Sequence, residues 1–178
     1  MIFETERLYV TRWKPRDLHA LHELYNDTAI KEFIHPLLTI EETRFIFEKQ
    51  LRHYSLHYPF GRYFIVEKLS NKFIGLLLFK KDEKKPGVEI GYSLIKNYWK
   101  KGYATEIVKE SVNWIFKGNR FSSISAITEL HNENSKKVLI KCGFLNMENF
   151  IENGEEMNLF SLLKEDSAAT IGSTEPTP

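Results

Sequence analysis

One cysteine among 178 residues rules out an internal disulfide. Stability must come from an ordinary hydrophobic core, and the expected setting is a reducing one, the cytoplasm. An excess of charge of one sign is also missing. The 25 basic and 24 acidic residues leave a formal net charge of +1. That balance offers no electrostatic footprint for nucleic acid, so no nucleic-acid partner is expected. Long apolar runs are absent as well. The longest, FIGLLLF from Phe73 to Phe79, is far shorter than the roughly 20 residues a membrane-spanning helix needs, so no membrane partner is expected. The start, MIFETERLYVTRW, is charged early and lacks the apolar core of a secretory signal. No internal repeat or linker divides the chain, and its length suits one domain with a sizeable core.

The pattern along the chain is mixed. Leu8 to Trp13 reads as a first strand. Pro15 suits the opening turn of a helix whose apolar face is Leu18, Leu21, Leu24 and Tyr25. Thr39 and Glu42 form a capping box for a second helix through about Tyr58, stopped by Pro59 and Gly61. Three strands follow, Tyr63 to Lys68, Phe73 to Lys80 and Val88 to Ile95, with a loop at DEKKPG between the last two. These three should form an antiparallel meander. Ala104, Ile107, Val108, Ser111, Val112 and Ile115 then trace one face of an amphipathic helix, ended by Gly118-Asn119. Ser123 to Thr128 returns as a strand, parallel to Val88–Ile95 through a right-handed crossover. Asn132 or Asn134 caps a short helix that Gly143 closes, and two final strands flank Asn153-Gly154. Beyond Lys164 the chain is small and polar, so residues 164–178 are expected to form a disordered tail.

The most informative stretch is YWKKGYATE, Tyr98 to Glu106, where a strand gives way to a helix. A small-residue turn entering a helix leaves backbone N–H groups aimed outward, and the helix dipole adds partial positive charge there. The spot suits a phosphate or pyrophosphate. Gly102 permits conformations and a ligand approach that a Cβ would block, Ala104 keeps the floor small, and Lys100 and Lys101 add charge. The competing reading is a glycine that merely lets a loop turn.

Four segments, in this order and spacing, resemble the GNAT superfamily of acyl-CoA-dependent N-acetyltransferases over about residues 1 to 163. TERLYVTRWKPRDL resembles the opening of the branch around the RimJ/RimL ribosomal-protein N-terminal acetyltransferases. EIGYSLIKNYWKKGYATE resembles the strand and pyrophosphate loop, NENSKKVLIKCGF the segment whose Asn and Ser contact the coenzyme, and the closing hairpin completes the pattern. The resemblance implies an α/β (α+β) fold with a central mixed, mostly antiparallel sheet flanked by helices. It also implies acetyl-CoA as cosubstrate, bound beside the strand–loop–helix at Val88–Phe116. The coenzyme contacts it implies are Leu94, Lys100, Gly102, Tyr103, Ala104, Thr105, Asn132 and Ser135. Three positions depart from the family pattern. Trp99 stands where Gln or Arg is common, and Lys100 replaces the first glycine of Trp-Gly-Lys-Gly, which requires that it not adopt a positive φ. Leu139 replaces a Tyr that protonates the departing thiolate.

Acetyl transfer to an amine needs a neutral nucleophile, a polarised thioester carbonyl and a sulfur able to leave. Glu89, on the strand leading into the phosphate turn, is the leading base, and the other reading is a solvent-facing carboxylate or structural ion pair. Glu67 is the reserve. Ser135 is the leading group for the sulfur by resemblance, and both it and Asn132 also read as helix-capping residues. His53 and His57, at i and i+4, lack an evident third ligand, as do His19 and His22, so no metal is expected. Cys142 reads as a buried helix residue rather than a nucleophile. The histidine-bearing aromatic stretch from Phe45 to Phe60 is a candidate acceptor-groove wall. The leading function is transfer to a protein N-terminal α-amine. The alternatives are a small-amine acetyltransferase and a non-catalytic acyl-CoA-binding module. A P-loop nucleotide site would need Lys-Ser/Thr after the glycine, and Gly102-Tyr103 supplies none. The chain is expected to act as a monomer or homodimer.

Overall fold

The structure is a computed structural model that describes residues 1–26, 38–82 and 87–171. They sort into two compact units, residues 1–80 with 91–104, and residues 81–90 with the chain from 105 onward. The loop expected at DEKKPG lies largely outside the described residues, as do the side chains of Leu24 and His57.

In the first unit, β1 (Phe3–Glu4), β2 (Leu8–Thr11), β3 (Gly61–Glu67) and β4 (Lys72–Lys81) pair in sequence. The β1–β2, β2–β3 and β3–β4 ladders are antiparallel, with Leu8 opposite Glu67. The first strand ends earlier than its sequence suggests. Lys14 N–H donates to Asp17 Oδ2 at 2.8 Å, which starts the 3₁₀ turn Pro15–Asp17 and then α1 (Leu18–Asn26). Trp13 is thereby turned into the core, stacked on Phe47 at 5.6 Å and tilted on Phe64 at 5.4 Å. The expected capping box opens α2 (Ile40–His57). Thr39 N–H donates to Glu42 Oε2 at 2.7 Å, and Glu42 N–H donates to Thr39 Oγ1 at 3.2 Å. His22 Nδ1 lies 3.0 Å from Thr43 Oγ1, so this histidine joins α1 to α2.

The end of β5 (Gly87–Leu94) belongs to this unit and lies hard against β4. A Cβ at Gly75 would fall 2.1 Å from the Ser93 carbonyl oxygen, so only glycine fits there. Ile95 N–H donates to Ile74 O at 2.9 Å and fixes the point from which the next turn departs.

In the second unit the start of β5 pairs in parallel with β6 (Ser123–Glu129), from Gly87 opposite Ser123 to Ile90 opposite Ala126. The crossover between them contains α3 (Tyr103–Lys117), whose Ile107, Val108, Ser111, Val112 and Ile115 are buried as their spacing predicts. After α4 (Glu133–Lys141), the hairpin β7 (Leu145–Glu152) and β8 (Glu155–Leu163) completes the sheet, with β8 antiparallel to β6. Its turn, Asn153-Gly154, has φ of 52° and 86°, the paired left-handed residues of a tight hairpin. Buried Asn158 pins the bulge in β7 by donating to Asn146 Oδ1 and Asn149 Oδ1, each at 2.8 Å, and to Glu148 O at 3.2 Å. The eight strands run β1-β2-β3-β4-β5-β6-β8-β7, a mixed α/β fold with a mostly antiparallel sheet.

The C-terminal segment corrects the expectation of disorder from residue 164. Lys164–Ile171 form a helix, α5, while residues 172–178 lie outside the described residues. Low apolar content misled because Lys164 anchors the segment through polar contacts. Its N–H donates to Ser122 O at 3.0 Å, and its Nζ donates to Phe116 O at 3.0 Å and to Asn119 Oδ1. Glu165 and Asp166 sit in the first turn, where they favour the dipole, and Ser167 is buried. Lys164→Ala removes the Nζ bonds and should cost about 1–2 kcal/mol. Thermal unfolding should read this as a fall in Tm of roughly 2–8 °C, and an unchanged Tm would show that the anchor contributes nothing.

Candidate active site

Within the first unit, β5 hands the chain to a short 3₁₀ turn, Lys96–Tyr98, that leads into α3. Trp99, where Gln or Arg is common in the family, serves the turn itself. Its indole Nε1–H donates to the Leu94 carbonyl at 2.5 Å and closes the turn on itself. Lys100 then adopts φ of 59° and Gly102 φ of 83°. Left-handed residues placed so close together redirect successive N–H groups toward a common point. At a helix start this makes a concavity suited to an anion. The requirement that Lys100 avoid positive φ is therefore not met. A non-glycine residue held left-handed costs on the order of 1 kcal/mol, so the surroundings must hold it there. At Gly102 conformation, rather than space, demands glycine. A Cβ there would meet only Arg7 Nη2, at 3.4 Å.

The turn is fastened by a side chain from the start of the chain. Arg7 Nη1 donates to the Lys101 carbonyl at 3.0 Å, and the Arg7 guanidinium carbon lies 4.3 Å from the centre of the Tyr103 ring. Tyr103 is buried, and its hydroxyl donates to Glu67 Oε1 at 2.5 Å. Ser70 Oγ donates to Glu67 Oε2 at 2.6 Å. These bonds, from Ser70 first and Tyr103 second, hold the Glu67 carboxyl below the usual glutamate range. A carboxylate so stabilised is a poorer proton acceptor. Both of its oxygens are engaged, which counts against Glu67 as a proton acceptor.

The second unit carries the other candidates. Glu89 lies between buried Val88 and Ile90 on β5, so strand alternation turns it to the opposite face, where it is half-buried. Its register partner on β6 is Ser125. Asn132 rather than Asn134 caps α4, its Oδ1 accepting from Ser135 N–H at 3.0 Å. Ser135 thus sits in the first helical turn. Leu139 is buried, with 1% of its surface exposed, and belongs to the core. At the far end Gly143 has φ of 88°. Its N–H donates to Ile140 O at 3.0 Å, and Phe144 N–H donates to Leu139 O at 3.1 Å, the paired bonds of a glycine-closed helix. Buried Cys142 directs its Sγ to the Thr105 carbonyl at 3.7 Å, which ties α4 to the start of α3. Burial pushes this thiol up to about 11, so it is inert at neutral pH.

Leu94, Lys100, Gly102, Tyr103 and Ala104 therefore come together in the first unit. Thr105, Glu89, Asn132 and Ser135 belong to the second. In the aromatic stretch, Phe45 and Tyr58 are exposed and Arg12 lies 4.7 Å over the Tyr58 ring, whereas Tyr54 is buried and its hydroxyl donates to Arg62 O. Among the described residues no three His, Cys, Asp or Glu side chains group as metal ligands. Nor is any helix there long and apolar enough to cross a membrane. Sequence reasoning missed Arg7. It stood inside TERLYVTRW, but its partners lie 60 and more residues away, and no local pattern announces them.

The profile of the family described as the acetyltransferase (GNAT) domain matches residues 7–145. The uncharacterized N-acetyltransferase p20 of Bacillus licheniformis is 27% identical over 174 residues, covering 92% of this chain and 97% of its own. The fold matches the ribosomal-protein-S5-alanine acetyltransferase from Vibrio fischeri with a TM-score of 0.77 at 23% identity, covering 92% of this chain and 97% of that one. It also matches spermidine N-acetyltransferase from Vibrio cholerae, solved in complex with CoA and spermine, with a TM-score of 0.74 at 17% identity, covering 91% and 98%.

The strain at Lys100 can be measured. Lys100→Gly and Lys100→Ala remove the same charge, but only glycine accepts φ of 59° without cost. The Gly variant should be more stable than the Ala variant by about 1 kcal/mol, or roughly 2–4 °C in Tm. Equal melting temperatures would show that no strain is held at this position.

Proposed function

Because the chain belongs to the GNAT acetyltransferases and so is an acyl-CoA-dependent N-acetyltransferase using acetyl-CoA, we propose that its acceptor is the α-amine at a protein N-terminus. The observation that carries the donor side is the left-handed turn at Lys100 and Gly102, at the mouth of α3. There the backbone N–H groups of the turn hold the coenzyme's pyrophosphate, with Lys100 adding charge, Leu94 before the turn, and Ala104 and Thr105 on the first helical turn.

The transfer is direct, in a ternary complex. Glu89, through water, takes a proton from the incoming ammonium and leaves a lone pair on nitrogen. That nitrogen attacks the thioester carbonyl and forms the C–N bond. The tetrahedral intermediate collapses with cleavage of the C–S bond, and the second proton on nitrogen passes through water to the departing sulfur, leaving a neutral amide and CoA thiol. Ser135, in the first turn of α4, hydrogen-bonds the departing sulfur, and Asn132 fixes the helix end that carries it. The engagement of Glu67 with Ser70 and Tyr103 supports Glu89 as the base over Glu67.

The choice of acceptor rests on proton affinity. An α-amine has a pKa of about 7.7–8.0, against about 10.4 for a lysine side chain, so near neutral pH far more of it is already a nucleophile. A carboxylate acting through water suffices for the first and is poorly matched to the second. Resemblance to the RimJ/RimL branch points the same way. The exposed ring of Phe45 in the aromatic stretch from Phe45 to Phe60 offers one surface for a peptide end. Acetylation of a small polyamine is the second reading, favoured by the fold match to the spermidine enzyme.

Glu89→Gln should lower turnover by about 10²-fold and spare acetyl-CoA affinity, and the limb of the pH–rate profile that reports the general base, where activity falls as pH is lowered, should disappear. Retained turnover with an intact profile would make Glu89 structural. For the acceptor, a short peptide with a free N-terminus and an internal Lys is incubated with acetyl-CoA alongside spermidine. Fragment mass spectrometry should place the acetyl group on the N-terminal nitrogen. Side-chain labelling alone, or reaction only with spermidine, would reject the α-amine.

A further inference from the structure

We propose that Arg7 is a positioning residue for the coenzyme: its guanidinium, braced by Tyr103 and Glu67, holds the turn Lys100–Gly102 in the shape that receives the pyrophosphate. The assignment rests on reading that turn as the phosphate site, and extends it to a side chain some ninety residues away in sequence.

Three observations carry it. The first is the bond from Arg7 Nη1 to the Lys101 carbonyl, 3.0 Å long. Lys101 lies between the two left-handed residues, Lys100 and Gly102. Drawing its carbonyl back toward Arg7 constrains the peptide plane it shares with the Gly102 N–H, because C=O and N–H point to opposite sides of a trans peptide. The contact therefore selects which way that N–H faces. The second is the clamp on the next residue. The guanidinium carbon lies 4.3 Å from the Tyr103 ring centre, while the Tyr103 hydroxyl donates to Glu67 Oε1 at 2.5 Å. One side chain thus holds the turn at residue 101 and at residue 103. The third is the rigidity of the support. Lys68 N–H donates to Arg7 O at 2.9 Å, and Leu8 faces Glu67 in the β2–β3 ladder. Both arms of the brace therefore stand side by side on the same pair of strands. Ser70 completes it through Glu67 Oε2.

Chemistry makes this a task for arginine. Its planar fork can donate to a carbonyl while its face lies on an aromatic ring, and the charge does not titrate. Lysine keeps the charge but not the fork.

The test compares two acetyl donors, acetyl-CoA and S-acetylpantetheine, which shares the thioester but lacks the pyrophosphate. The readout is the ratio of kcat/KM for the two donors, with one acceptor held fixed and the fold of each variant checked by its Tm. Wild type should prefer acetyl-CoA strongly. Arg7→Ala should lower that ratio about tenfold through KM for acetyl-CoA rather than kcat, Arg7→Lys should not restore it, and Tyr103→Phe should lower it by a smaller factor. Equal losses on both donors would make Arg7 a general support of the fold and overturn the assignment. So would full rescue by lysine, which would reduce the role to bare charge, or an unchanged ratio in Arg7→Ala. A wild-type ratio near one would instead remove the phosphate-site reading itself, and the positioning role with it.

Discussion

A helix that receives an anion at its first turn must keep its leading N–H groups unused by the chain, and something else has to hold the backbone while they wait. Here that burden is heavier than usual. Lys100 sits at φ of 59°, without the freedom glycine has, and Gly102 follows at 83°. Such a turn costs on the order of 1 kcal/mol and has no intrahelical bonds of its own to offset it. The offset comes from outside the helix. The Trp99 indole closes the approach from Leu94, and Arg7, Tyr103 and Glu67 close the exit. The close approach of β4 to β5, possible only because residue 75 is glycine, fixes where the turn begins.

That bracing draws one carboxylate into the support of the turn. Glu67 accepts from Ser70 and from Tyr103, which stabilises its anion and uses both its oxygens. A group in that state holds shape well and moves protons poorly. Glu89 stands on the half-buried face of a strand whose opposite face carries Val88 and Ile90. The sequence ranked Glu67 behind Glu89 as a base, and the hydrogen bonds from Ser70 and Tyr103 to Glu67 agree with that order.

What the sequence disclosed and what it hid follow one physical line. Local signals were legible. The Thr39–Glu42 box, the apolar face of α3, the Asn153-Gly154 turn and the glycine after α4 all depend on residues within a few positions of one another. The turn from β5 into α3 around Gly102 was legible for the same reason. Contacts between distant residues were not. Nothing near Arg7 announces Lys101, nothing near Lys164 announces Phe116 and Asn119, and composition alone made the segment after Lys164 look structureless. The left-handed state of Lys100 was hidden too, because its side chain disfavours the conformation that tertiary contacts impose.

Leu139, with Lys100, kept the non-catalytic reading open in the sequence, since a leucine supplies no proton to a leaving sulfur, and the structure buries it. The chemistry of that sulfur weakens the objection. A thiol of ordinary pKa, about 8.5, lies only about 1.5 units above neutral pH, so expelling thiolate instead of thiol costs roughly 2 kcal/mol. A phenol at that position is a convenience of that size rather than a necessity. In the proposed arrangement the sulfur departs toward the first turn of α4, where the helix dipole favours negative charge, and Ser135 sits in that turn. Helix N-termini lower thiol pKa values in just this way, and a hydroxyl donating to the sulfur adds a charge-assisted hydrogen bond. The two effects are together of the order of the missing phenol's contribution. Under the proposed arrangement, leucine at residue 139 is therefore compatible with turnover and does not argue for a coenzyme-binding module that has lost its reaction.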